Sequence, residues 1–202
     1  MKASDMNRIF DQCIDDYHLR DDVNAAEQNP FAKDTLEYLL YHKAWIDTVQ
    51  WHLEDIIRDP AIKPEKALEV KRAIDHSNQN RTDQVEKIDD FYLEKFAGTD
   101  LKKNARINTE SPAWAIDRLS ILALKLYHME KEAGRKEANQ ALKQKNHGKL
   151  KVLQTQRQDL SLAIDQLLED LAQGNRIMKV YRQMKMYNDP DLNPVLYGQK
   201  DT

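Results

Sequence analysis

Apolar residues recur three and four positions apart along most of this chain, the period of one buried helix face. Met6, Ile9, Phe10, Cys13 and Tyr17 predict a first helix over 4–18, with Ser4 as its cap. Asn29-Pro30 is a break. Leu36, Leu39, Leu40, Ile46, Val49, Leu53 and Ile56 predict a second helix over 32–58. Asp59-Pro60 stops it, because the residue before a proline is pushed out of helical geometry. Pro64, near the first helical position, opens a third helix that runs to 96. Its stripe reads Ala67, Val70, Ile74, then Asn78 and Arg81, then Val85, Ile88 and Tyr92. Residues 99–110 are basic and irregular, and Ser111-Pro112 is a cap–first-turn pair for a fourth helix to 133. Leu153, Leu160, Ile164, Leu167 and Leu171 predict a fifth helix over 150–187, with Gly174 inside it as a kink or a close helix contact. The polar stretch 136–149 fits either a helical extension or a solvated hairpin.

The expected fold is all-α: a four- to five-helix antiparallel bundle with a short N-terminal helix and an extended C-terminal arm. One domain would span 1–202, with the N-terminal helix and its linker at 1–30 and the arm at 188–202. Five glycines and six prolines, most of them between periodic segments, suit that class better than many short strands. A chain of 202 residues buries a core without staples.

Charge and cysteine content narrow the function classes. A net charge of -3 argues against a nucleic-acid binder, which is normally basic. Cys13 is the one cysteine, so the chain forms no internal disulfide and no cysteine-based zinc site, and its apolar neighbours predict a buried thiol. No run approaches the roughly 18 apolar residues of a membrane span. Without a signal-type apolar core near Met1, a cytoplasmic location is expected.

The chemistry concentrates where polar residues interrupt apolar stripes. Residues 45–58 carry Asp47, His52, Glu54, Asp55 and Arg58 among two tryptophans and three isoleucines. Residues 116–128 carry Asp117, Arg118, Ser120, Lys125 and His128 among leucines. Asn78 and Arg81 interrupt the third helix, and a buried arginine there needs a carboxylate partner such as Asp47, Glu54 or Asp117. Two readings follow: a polar pocket, or a sealed ion-pair layer that fixes helix register. There is no phosphate loop, no Gly-x-Gly-x-x-Gly, no His-Glu-x-x-His and no Glu-x-x-His pair of di-iron bundles. Six histidines permit a three-histidine metal site from His52, His128 and one of His42 or His76.

Five motifs carry a family resemblance: Trp45-Ile-Asp-Thr-Val-Gln-Trp-His-Leu-Glu-Asp-Ile-Ile-Arg-Asp-Pro60, Asn78-Gln-Asn-Arg-Thr-Asp83, Arg106-Ile-Asn-Thr-Glu110, Ile116-Asp-Arg-Leu-Ser-Ile-Leu-Ala-Leu-Lys125 and Tyr187-Asn-Asp-Pro-Asp-Leu-Asn-Pro194. Through them nearly the whole chain resembles a bacterial all-helical family of unknown function, about 200 residues long. The resemblance implies a helical fold and a genomic setting near glycan-biosynthesis genes, and it transfers no activity. The Leu-Glu-Asp-Ile-Ile-Arg and Ile-Asp-Arg-Leu-Ser-Ile-Leu patterns also resemble a second helical family that has them in a different order, which implies that the two segments meet in space.

Three functions fit these residues. The favoured one is an inter-helix site for an anionic, phosphate- or carboxylate-bearing ligand, gripped by Arg58, Arg81, Arg118 and Lys125, with Asp47, Glu54, Asp55 or Asp117 to orient it, hold a divalent ion or act as base, and Asn78 as a further binding candidate. The second is an interaction protein whose polar core is structural and whose surface meets a protein partner. The third is a metal-dependent bundle using His52 and His128. The residues single out no reaction, no cofactor and no oligomeric state.

Overall fold

A computed structural model describes residues 1–183. It is an all-helical bundle of five helices: α1 (Ala3–His18), α2 (Leu36–Ile57), α3 (Pro64–Phe96), α4 (Pro112–Ala133) and α5 (Gln140–Ala172). The predicted arm at 188–202 lies outside the described residues.

Contacts between side chains fix the helix directions. Gln50 bonds Asn78 and Gln84 bonds the Leu39 carbonyl, so α2 and α3 are antiparallel. Asp47 meets Ser120 and Trp51 stacks on His128, so α2 and α4 are parallel. Asp165 accepts from the Ala3 amide and Arg157 reaches Asp11, so α5 runs against α1. The antiparallel expectation fails at one junction. Cys13 touches the Tyr41 carbonyl and His18 touches His52, so α1 and α2 run parallel. The linker 19–35 makes this arrangement accessible, since it is long enough to return the chain to the starting end.

α4 packs against all four other helices. Its Ala113, Ile116, Leu119 and Ala123 are almost fully buried. α1 is part of the bundle: Met6, Phe10, Cys13 and Tyr17 are fully buried in the same core as α2, α3 and α4. Burial of side chains of this size contributes about 1.5–3 kcal/mol each relative to exposure, so α1 is a structural member of the bundle. Leu53, Val70 and Ile74 form a smaller cluster at the α2–α3 turn.

The fifth helix is shifted relative to the expectation. It starts at Gln140, where the Asn139 side chain accepts from the Leu142 amide at 2.9 Å, so the polar stretch is mostly helix. It ends at Ala172 rather than at 187, because Gly174 adopts φ +70 and terminates it. A Cβ on Gly174 would stand 2.1 Å from the Asp100 carbonyl oxygen, so glycine is required both for the left-handed turn and for the close approach. Beyond it, the Lys102 amide donates to the Gly174 carbonyl, and Arg106 and Arg176 form an isolated parallel bridge. The basic segment before α4 is thereby pinned to the end of α5. At the start of α4, Pro112 occupies the first turn as expected, but the Ser111 hydroxyl makes no capping bond.

Candidate functional site

Two polar regions lie along α2 and α4, with Asp47 of the first and His52 of the second five residues apart on α2. The first is a buried ion-pair layer. Lys43 and Asp47 are spaced four apart on α2, hence on one face. Arg81 enters from α3, and Asp117 and Ser120 from the first turns of α4. Arg81 forks onto Asp117, with Nε to Oδ1 at 3.0 Å and Nη2 to Oδ2 at 2.6 Å. Lys43 Nζ lies 2.9 Å from Asp117 Oδ1 and also donates to Asp47 Oδ2. Ser120 Oγ donates to Asp47 Oδ2 at 2.6 Å, and Arg81 Nε stands 3.5 Å from Asp47 Oδ1. Lys43, Asp47 and Asp117 are buried, while Arg81 is half-buried. Two cations and two carboxylates cancel.

The two carboxylates differ electrostatically. Burial pushes Asp47 up, more than the Lys43 charge and its bonds pull it down, and the Asp117 charge adds to the rise. Burial also acts to raise Asp117, but Lys43 and the Arg81 fork outweigh it and hold Asp117 below its ordinary range. For Arg81 burial acts downward, and its bonds to Asp117 overcome that and raise it.

One wall of this layer faces a cleft of about 410 Å³ lined by Asp47, Gln50, Glu54, Asp55, Arg58 and Arg81. Arg58 is spent there: Nη2 meets Glu54 Oε2 at 2.9 Å and Nη1 lies 3.8 Å from Asp55. Asn78 accepts from Gln50 at 2.8 Å, which ties α3 to α2.

The second region is a cluster of histidines. His18 at the end of α1, His52 on α2 and His128 on α4 each bring one ring nitrogen within 4.8 Å of the others. His18 Nε2 and His52 Nε2 are 3.2 Å apart. His18 Nδ1 lies 2.6 Å from the Ile14 carbonyl, which can only accept, so the proton of neutral His18 sits on Nδ1 and its Nε2 lone pair points at the cluster. His128 Nε2 is buried with no hydrogen-bond partner among the described residues. Trp51 stacks flat on His128 at 4.6 Å, Tyr17 stacks on His52 at 5.1 Å, and Tyr127 lies 4.2 Å from His18. Burial, with His18 and His52 alongside, lowers His128 to about 4. Burial lowers His18 too, against its bond to Ile14.

His128 and Trp51 also line a second cleft, of about 730 Å³, between α4 and α5. Met129, Val152 and Leu153 form its apolar wall. Lys125, Lys145 and Lys149 stand at its exposed edge.

The predicted residues therefore divide. Asp47, Arg81 and Asp117 converge, Glu54, Asp55 and Arg58 edge the adjoining cleft, and Asn78 braces it. Lys125 belongs to the other cleft. Arg118 belongs to neither: it is exposed and pairs with Glu110. His42 pairs with Glu27 and His76 is exposed on α3, so the third histidine of the cluster is neither of them but His18. Lys43 is a member of the layer that the sequence reading leaves out, although a lysine between Tyr41 and Trp45 and four residues before Asp47 is the spacing of an internal ion pair. His18 carries no sequence signal beyond being the last residue of an amphipathic helix.

No curated protein and no solved structure matches the chain. A family model matches residues 37–180, which takes in α2 from its second residue, α3 to α5, and both polar regions except His18. The chain belongs to the family described as "Protein of unknown function (DUF4254)".

Proposed function

We propose that this protein binds an organic anion with an apolar or aromatic body in the cleft between α4 and α5. The carrying observation is the contrast between wall and edge. Met129, Val152, Leu153 and the stacked Trp51–His128 pair make a mostly apolar interior. Lys125, Lys145 and Lys149 stand round it with no carboxylate of the described residues within ion-pair reach, the lining acid Glu132 being paired with Arg135, while Lys43, Arg58 and Arg81 are each taken up by acids. Ammonium groups on flexible stems attract a phosphate or carboxylate as point charges, and the apolar wall takes the rest of the ligand.

This reading keeps the anionic ligand expected from sequence and moves its site from the Asp47–Asp117 layer to the Lys125 cleft. An anion entering the smaller cleft would meet Asp47, Glu54 and Asp55, whose charges oppose it.

The test is titration of the metal-free protein with an arylsulfonate or aryl phosphate and with its neutral analogue, following Trp51 fluorescence. Saturable quenching by the anion, absent in Trp51→Phe, is expected. Replacing the three edge lysines by glutamine is expected to weaken binding roughly tenfold or more, at about 0.5–1 kcal/mol per exposed charge. Equal binding of the neutral analogue, or unchanged binding by the triple variant, would defeat the reading.

A further inference from the structure

We propose that His18, His52 and His128 hold one divalent transition-metal ion of the zinc type. Three separate helices deliver the three rings to one point. A tetrahedral ion with metal–nitrogen bonds of about 2.0–2.1 Å keeps its nitrogens about 3.3 Å apart. His18 Nε2 and His52 Nε2 already stand 3.2 Å apart. The third nitrogen, on His128, lies within 4.8 Å of the other two.

The surroundings have the features that such a site needs. The Ile14 carbonyl holds His18 in the tautomer that frees Nε2, which is the outer-shell contact metal-binding histidines require. Tyr17, Trp51 and Tyr127 pack against the rings and fix their planes. Without an ion, His128 Nε2 is left buried and unsatisfied by any described residue, at a cost of about 1–3 kcal/mol. An ion bound through Nε2 removes that cost. Imidazole donors suit zinc, copper, nickel and iron, not magnesium or calcium, which take oxygen.

Asp21 supplies a neighbouring carboxylate. It stands 3.8 Å from His52 Nε2, just beyond α1, in a left-handed backbone conformation with φ 51. Three nitrogens leave a fourth position for Asp21 or for water, the composition of a site with exchangeable coordination. Because His128 also lines the Lys125 cleft, an anionic group of a ligand there could reach that position. The metal site itself rests on the histidine geometry alone and does not depend on the ligand reading.

The experiment is titration of the full, untagged, chelator-treated chain with zinc by calorimetry and with cobalt by visible absorption. One ion per chain and the intense visible bands of low-coordinate cobalt are expected. His52→Ala and His128→Ala should each weaken binding roughly tenfold or more, while His42→Ala and His147→Ala should leave it unchanged. Circular dichroism establishes that the variants fold, and the cobalt spectrum of the unmodified chain needs no variant at all. Absence of saturable binding of both ions, an octahedral cobalt spectrum, or unchanged binding by folded His52→Ala and His128→Ala would overturn the site. Aryl-anion binding is measured on metal-free protein, so failure of either reading is visible separately.

Discussion

The Lys43–Asp117 layer and the histidine cluster are built from the same two central helices, yet they end in opposite states. In the layer every charge has a partner: Arg81 and Lys43 share Asp117, and Ser120 completes Asp47. In the cluster a buried ring nitrogen has none among the described residues, and in the nearby cleft Lys125, Lys145 and Lys149 pair with no acid of the described residues, the lining Glu132 being paired with Arg135. A satisfied polar layer leaves little to give a ligand, because binding there must first break bonds that already offset the cost of burial. Unsatisfied groups keep their full interaction energy for something that arrives later. Burial and charge identify both regions as unusual, and only the accounting of partners separates a structural one from a functional one.

The strongest way to break that comparison is to unbalance the layer. Asp117→Ala leaves Lys43 and Arg81 without their common carboxylate, and the expected loss is about 3–5 kcal/mol of stability in urea unfolding. Asp47→Asn is expected to cost less, about 1–2 kcal/mol. Burial already raises Asp47 against its partners, and an amide still accepts from Ser120 and Lys43. If the two variants lose equal stability, the layer is not centred on Asp117.

Acid separates the two regions in the metal-free protein. His128 is held at about 4 against an ordinary 6.5, so between those values the unfolded chain carries a proton that the folded chain does not. Its contribution is therefore intact above about 6.5 and is lost progressively as pH falls toward 4. Asp117 has the opposite chemistry and a lower window. Its folded value is depressed, so its contribution is present above the ordinary 3.8 and is lost only as pH falls through the lower folded value. His128→Phe should flatten the part of the stability profile between 4 and 6.5 and leave the acid limb below it. An unchanged profile in that variant would mean that His128 is not buried as a neutral ring.

Much of this arrangement is legible in the amino-acid sequence. Asp59-Pro60, Pro64 and Ser111-Pro112 punctuate the chain chemically, and α2, α3 and α4 start and stop beside them. The pairing of Arg81 with an acid follows from the energy of burying a guanidinium, and Asp117 is among the acids within helical reach. α5 is harder, because its first turns are polar and packing on α4 through contacts such as Asn146 with the Glu132 carbonyl decides their state. Gly174 resembles an interior kink in local sequence because its partner, the Asp100 carbonyl, is remote along the chain. The histidine cluster is half legible. His52 and His128 lie on the two motif helices, but His18 joins them only because α1 runs parallel to α2, and local periodicity does not encode the direction of a helix at the end of a long linker.

The smallest expected effect completes the contrast. Lys125, Lys145 and Lys149 are exposed, and their ammoniums hold no acid among the described residues. Replacing all three by glutamine removes no buried contact, so unfolding free energy should change by no more than about 0.5 kcal/mol per site, of either sign. The same replacement in the layer, Lys43→Gln, removes a fully buried cation from between two carboxylates and is expected to cost several-fold more. Urea unfolding of both variants reads the difference directly. A large loss in the triple edge variant would show that those lysines are already engaged in holding α4 and α5 together. In that event the edge would belong with the layer as structure, and the lysines would have no charge in reserve for a ligand.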